Sequence, residues 1–231
     1  MINPFNMPQA HEREAWEQIY ADVTRPLLVD VGCAKGRWVE HMAAETSVRL
    51  ELQDTPFNYC GIEIYGPLVE AANQKRNLLA DPRRNLHYVH ANIITSLKTL
   101  QLPNLHTICF QYCDPWLKKA RRRTVTPLVA QQVAELLPPG GQVYLVSDYL
   151  EIASDMRSLF LATGVFRQSP SPSCNVVAVE AAAQDALAAR RRGRAQADVG
   201  ESCVGGAKMS VDRARWRRLP SVVSWCGQVR V

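Results

Sequence analysis

Five short apolar runs, set among helical stretches and sharp chain breaks, constrain this chain more than any other feature. Leu27-Leu28-Val29-Asp30-Val31 reads as a buried strand after Pro26. Residues 57–64, 86–89, 107–110 and 142–148 read as four more strands. Between and around them, residues 11–20, 37–46, 66–79, 125–137 and 151–163 read as helices. Gly66-Pro67 opens one helix with a proline in its first turn, where the missing N–H costs nothing. Pro138-Pro139-Gly140-Gly141 stops another. Strands in alternation with helices predict βαβ units: an α/β fold with a mostly parallel sheet and helices on both faces.

The chain has 231 residues, enough for one substantial core with extensions. The sequence divides into an N-terminal extension (1–24), a domain (25–167) and a divergent Ala/Arg-rich tail (168–231), part of which is expected to be disordered. The tail opens with Ser169-Pro170-Ser171-Pro172-Ser173 and carries ten Lys/Arg against five Asp/Glu. It holds the whole net charge of +5, so residues 1–167 are neutral. No run of 18 or more apolar residues is present, so no membrane span is expected. The first residues carry Glu12, Arg13, Glu14 and Glu17 and no apolar leader core. Seven cysteines are scattered without a CxxC pair, and no histidine cluster joins them. Reduced thiols in a cytoplasm and no metal are the expectation.

Candidate chemistry gathers where the strands end. Asp30 closes the first strand, and Gly32-Cys33-Ala34-Lys35-Gly36 turns into a helix. Such glycines let a ligand approach the backbone, although the middle glycine of a G-x-G-x-x-G phosphate loop is missing, which disfavours a nicotinamide dehydrogenase. Glu63, at the end of the second strand, suits the ribose hydroxyls of an adenosine-containing cofactor. Asn92, after the third, offers both a donor and an acceptor to an adenine edge. Asp114-Pro115-Trp116 follows the fourth strand, and Asp148 the fifth. In a parallel sheet these residues share one rim, and therefore one crevice.

The stretch Asp114-Pro115-Trp116-Leu117-Lys118-Lys119-Ala120-Arg121-Arg122-Arg123 sets five cations beside that acid. A cationic cluster in an otherwise neutral domain suits a polyanion. It argues against a purely small-molecule substrate.

The chain resembles the TrmB-type tRNA (guanine-N7-)-methyltransferases. The resemblance rests on residues 28–36, Gly61-Ile62-Glu63-Ile64, residues 85–92, the stretch 114–123 and Val146-Ser147-Asp148-Tyr149, and spans roughly residues 25–165. It implies a Rossmann-like class I fold that uses S-adenosylmethionine, with tRNA as partner and the protein a monomer or homodimer. It also implies that Asp30, Gly32, Gly36, Glu63, Asn92 and Asp114 contact the cofactor and that Asp114 is the catalytic acid. Lys118 and Asp148 would bind the substrate, with Lys119, Arg121, Arg122 and Arg123 gripping its phosphates.

The chain departs from the family in several places. Tyr112-Cys113 stands where the family has Phe-Pro, Ala34 where it has a third glycine, and Asn92 where an acid is common. The family's C-terminal Thr-x-x-Glu segment has no counterpart, since residues 168–231 contain no threonine. A reading-frame change or a recombined 3′ end near residue 167 is the expectation this loss raises, and resequencing across the codon tests it. The competing expectation is an RNA-binding or vestigial methyltransferase-fold protein whose activity is impaired by the altered C-terminus.

Overall fold

The computed structural model describes residues 14–44, 56–79, 84–168 and 223–229. In chain order the elements are α1 (Trp16–Ile19), β1 (Leu27–Val31), α2 (Arg37–Ala44), β2 (Asn58–Glu63), α3 (Gly66–Asn77), β3 (Leu86–His90) and α4 (Ile93–Ser96). Then come β4 (Leu105–Gln111), α5 (Pro127–Leu136), β5 (Gln142–Ser147), α6 (Leu150–Ala162), β6 (Phe166–Gln168) and β7 (Val223–Val229). They build one seven-stranded sheet in the order β3-β2-β1-β4-β5-β7-β6. The first five strands are parallel, and β7 runs antiparallel to both β5 and β6.

This order places the site. From β1 the chain steps to β2 and β3 on one side, then returns to lay β4 and β5 on the other. Val31 pairs with Ile62 on one flank and with Phe110 on the other. The direction of winding reverses between β1 and β4, so the loops after these strands part and leave a crevice at their carboxyl ends.

Strand β1 is buried along its whole length, as a central parallel strand must be. Leu27, Val29 and Val31 join Phe110, Val129, Val133 and Phe160 in a core closed by α1, α4, α5 and α6. Leu28 faces the other way, into a smaller core with Val39, Val69 and Tyr88 under α2 and α3. The expected helices on both faces are therefore present.

Several elements differ from the sequence reading. Of the helix expected over 11–20, residues 11–13 lie outside the described residues, and within 14–20 only Trp16–Ile19 are helical, with Tyr20 already extended. What is described of it packs into the domain rather than standing apart: Trp16 Nε1 donates to the Leu100 carbonyl (3.0 Å) and Tyr20 Oη to that of Tyr59 (3.0 Å). Helix α4 has only four residues, too few to show a period, and starts where the Asn92 side chain accepts from Ile94 N (3.0 Å). Strand β7 falls in the tail that composition sets apart, yet the sheet takes it in between β5 and β6. The Ala/Arg-rich stretch 178–197 lies outside the described residues. Among the described residues no helix is long and apolar enough to cross a membrane, and no cluster of His, Cys, Asp and Glu could hold a metal ion.

Candidate active site

A cavity of about 700 Å³ opens at the carboxyl ends of β1, β2 and β4. One wall is the turn from β1 into α2. Gly32 (φ +75°) and Gly36 (φ +67°) lie in the left-handed region that favours glycine. Ala34 lies there too, at φ +49°. The turn curls back on the neighbouring strand: Gly32 N and Cys33 N both donate to the Ile62 carbonyl (2.8 and 3.2 Å).

Glu63 ties this wall together. Its Oε1 accepts from Ile64 N (2.8 Å) and Tyr65 N (3.1 Å), and its Oε2 from Ala34 N (2.9 Å). One carboxylate thus anchors the loops after β1 and β2, with its side chain on the cavity wall. Asn92 lines the same cavity. Its carbonyl oxygen is engaged as the cap of α4, so α4 sets the direction of the amide.

Asp30 sits beneath the cavity rather than in its lining, only 4% exposed. Gln111 Nε2 donates to its Oδ1 (3.3 Å) across the β1–β4 boundary. Burial pushes the carboxyl up to about 7, opposed by the Gln111 hydrogen bond and assisted by the charge of Glu63. A carboxyl whose pKa rises on folding binds its proton more tightly in the folded state. Its contribution to stability is complete below pH 4 and is lost as the pH rises towards 7. Asp30→Asn, which keeps an acceptor for Gln111, should flatten the stability profile over this window. Relative to the parent it should gain no more than about 4 kcal/mol between pH 4 and pH 8. Urea unfolding at both pH values checks this, and parallel profiles for the two proteins would refute it.

The opposite wall comes from the loop after β4. Asp114, Trp116, Arg122 and Thr124 line it, with Tyr112 and Cys113 leading in. Burial pushes the Cys113 thiol up to about 12, against the usual 9.0, so it is a poor nucleophile here.

The cationic run divides into two groups. Lys118, Lys119 and Arg121 are exposed. Arg122 lies over the Trp116 ring, 5.0 Å from its centroid, in a cation–π contact at the cavity edge. Arg123 is committed to the fold: its Nε donates to the Pro115 carbonyl (3.1 Å) and its guanidinium pairs with Asp155 (2.6 Å). That pairing holds the loop against α6. Asp148 is exposed just past β5, outside the cavity lining, where its charge helps to raise the Tyr112 hydroxyl pKa.

The structure thus brings Gly32, Glu63, Asn92, Asp114 and Arg122 to one cavity. Asp30 lies below it and Gly36 behind it, against Tyr88. Sequence reasoning passed over Gln111, whose role depends on β4 lying beside β1, and Thr124, which carries no motif.

Residues 24–183 match a family model described as "Putative methyltransferase". A tRNA (guanine-N(7)-)-methyltransferase of Thermosynechococcus vestitus is 41% identical over 158 residues, covering 67% of this chain and 69% of that protein. The enzyme of the same name from Synechococcus elongatus is 38% identical over 163 residues, covering 67% and 70%. Among solved structures, the aminoglycoside resistance methyltransferase NpmB1 superposes with a TM-score of 0.51 at 14% identity, over 93% of this chain and 90% of that one, a likeness of fold.

Proposed function

This chain belongs to the TrmB-type tRNA (guanine-N7-)-methyltransferase family, and from that premise we infer that it transfers the methyl group of S-adenosylmethionine to N7 of a guanine in tRNA. The observation that carries this reading is the shared cavity, which has a carboxylate and an amide suited to an adenosine on one side and Asp114 beside exposed cations on the other.

The residues fit the cofactor. A Cβ at Gly32 would meet nothing within 4 Å, so the turn leaves open space at the cavity wall. Glu63 presents an acceptor for ribose hydroxyls and Asn92 an amide for a purine edge. A volume of about 700 Å³ falls within the usual range of small-molecule sites. Asp30 supports this wall from below. When bound, the cofactor supplies a sulfonium methyl.

Guanine N7 has an in-plane lone pair and no proton, so no general base is needed. The chain's task is alignment and electrostatics. Asp114 orients the purine and stabilises the positive charge that the ring acquires. Asp148 stands nearby as support. Lys118, Lys119 and Arg121, with Arg122 at the cavity edge, take the phosphates, and a splayed-out guanine reaches the pocket between them. Among the described residues, Cys33, Cys60, Cys109 and Cys113 are in no disulfide, which supports a cytoplasmic setting.

The direct test is transfer of labelled methyl to unmodified tRNA, followed by nucleoside analysis. N7-methylguanosine is expected, and no incorporation by a protein that binds the cofactor would refute the reading. Binding of tRNA should weaken steeply with salt, and Lys119→Ala should lower the log–log slope by about 0.7–0.9. Arg123→Ala should leave the slope nearly unchanged and cost about 1 kcal/mol of stability through loss of its ties to Asp155 and Pro115. The reverse pattern in titrations at two salt concentrations would overturn this division of the cationic run.

A further inference from the structure

Five non-glycine residues among those described have a left-handed backbone: Ala34, Gln101, Asn104, Tyr112 and Trp116. Three of them, Ala34, Tyr112 and Trp116, line the same cavity. A positive φ costs an L-residue about 1–2 kcal/mol, and for a bulky aromatic it is uncommon. Such strain persists where the surroundings impose it, and it gathers at ligand clamps. Two strained aromatics flanking Asp114 therefore need an explanation.

The two rings differ. Trp116 is half-buried and carries the Arg122 guanidinium over its ring. Tyr112 (φ +50°) leads out of β4, with its N–H held by the Val146 carbonyl (2.9 Å). That bond fixes its backbone beside β5. Its side chain is 38% exposed, a large ring on a cavity wall two residues before Asp114. Burial and the charge of Asp148 both raise its hydroxyl pKa, so the phenol keeps its proton beside the acids of the rim.

We propose that Tyr112 is a substrate-binding residue that stacks on the target guanine and holds it beside Asp114 with N7 turned towards the cofactor's methyl group. The proposal rests on the tRNA-methyltransferase reading above. The left-handed turn directs the ring into the cavity, and an aromatic face accepts a purine that has left its helix. Its position in place of the family's phenylalanine keeps the ring and adds a hydroxyl on the side of Asp148.

Stacking contributes enough per base to be read in binding. In the full-length chain, Tyr112→Leu should raise both Kd and KM for unmodified tRNA about tenfold and leave S-adenosylmethionine affinity unchanged. Tyr112→Phe should restore both within about twofold. Tyr112→Gly should lose tRNA affinity as Leu does. Glycine tolerates a positive φ, so the melting temperature should fall by no more than a few degrees, which separates loss of the ring from loss of the fold. Wild-type tRNA affinity and turnover in Tyr112→Leu would overturn the proposal. So would a parallel loss of cofactor affinity, which would place the ring against the cofactor. If the parent protein makes no N7-methylguanosine, the tRNA-methyltransferase reading fails. The tRNA Kd series, which needs no turnover, then still decides whether Tyr112 holds a base.

Discussion

Asp114→Ala should lower kcat for methyl transfer by about 10²–10³-fold, the usual cost of removing one preorganised electrostatic partner of a transition state. Affinity for tRNA should stay within about twofold, because the phosphates are taken by Lys118, Lys119, Arg121 and Arg122, three of them exposed on the loop and one at the cavity edge. Single-turnover transfer of labelled methyl, with tRNA Kd measured alongside, reads both quantities. Asp114→Asn separates the two tasks assigned to this carboxylate. If its charge stabilises the purine, Asn will be nearly as slow as Ala. If it only orients the base by accepting a hydrogen bond, Asn will recover most of the rate. Parent turnover in Asp114→Ala would remove this residue from the mechanism, and the acid would then have to be sought at Asp148.

Gly36→Ala should destabilise the domain by about 3 kcal/mol. Two costs add. The residue holds φ +67°, which an L-side chain adopts only with strain. A Cβ here would also run into the Tyr88 ring, 2.7 Å from Cζ and closer still to Cε1. That ring is buried beneath α2 and α3, and its hydroxyl donates to the Gly36 carbonyl (3.1 Å), so it has no easy way aside. Gly32→Ala is the control. It has the same sign of φ (+75°) with open space around the Cβ, and should cost only about 1 kcal/mol. Urea unfolding of the pair measures the difference, and equal losses would show that conformation alone, without the Tyr88 contact, governs the turn. Cofactor affinity should fall in Gly36→Ala, because the turn it distorts carries Gly32 and Ala34 along the cavity wall.

These two sites show different degrees of legibility. Asp114 was readable because an acid, a proline and a tryptophan after an apolar strand, followed by lysines and arginines, form a local pattern. Gly36 was readable as a turn glycine, but its partner was not. Tyr88 lies 52 residues away and reaches Gly36 only because β3 and the turn after β1 share a face. The cationic run misled in its uniformity. Arg121 and Arg123 look alike in sequence, yet one faces solvent and the other is bound to Asp155 on α6. The family resemblance implies that Asp30 contacts the cofactor; in the structure it is a residue of β1, buried below the cavity and bonded to Gln111. No sequence signal marks that pair, since two residues 81 apart meet only through strand order.

The sequence by itself determined the α/β alternation, the rim on which the acids gather and the family, because periodicity, turn residues and the Asp-Pro-Trp stretch are local and the chain carries them whatever its neighbours are. Only the tertiary structure decided the place of β7 between β5 and β6, the division of the cations into free and bound, and the strained setting of Tyr112 and Trp116. Each of those depends on which distant segment packs beside which, and that choice is made by burial over the whole sheet rather than by any residue's immediate neighbours.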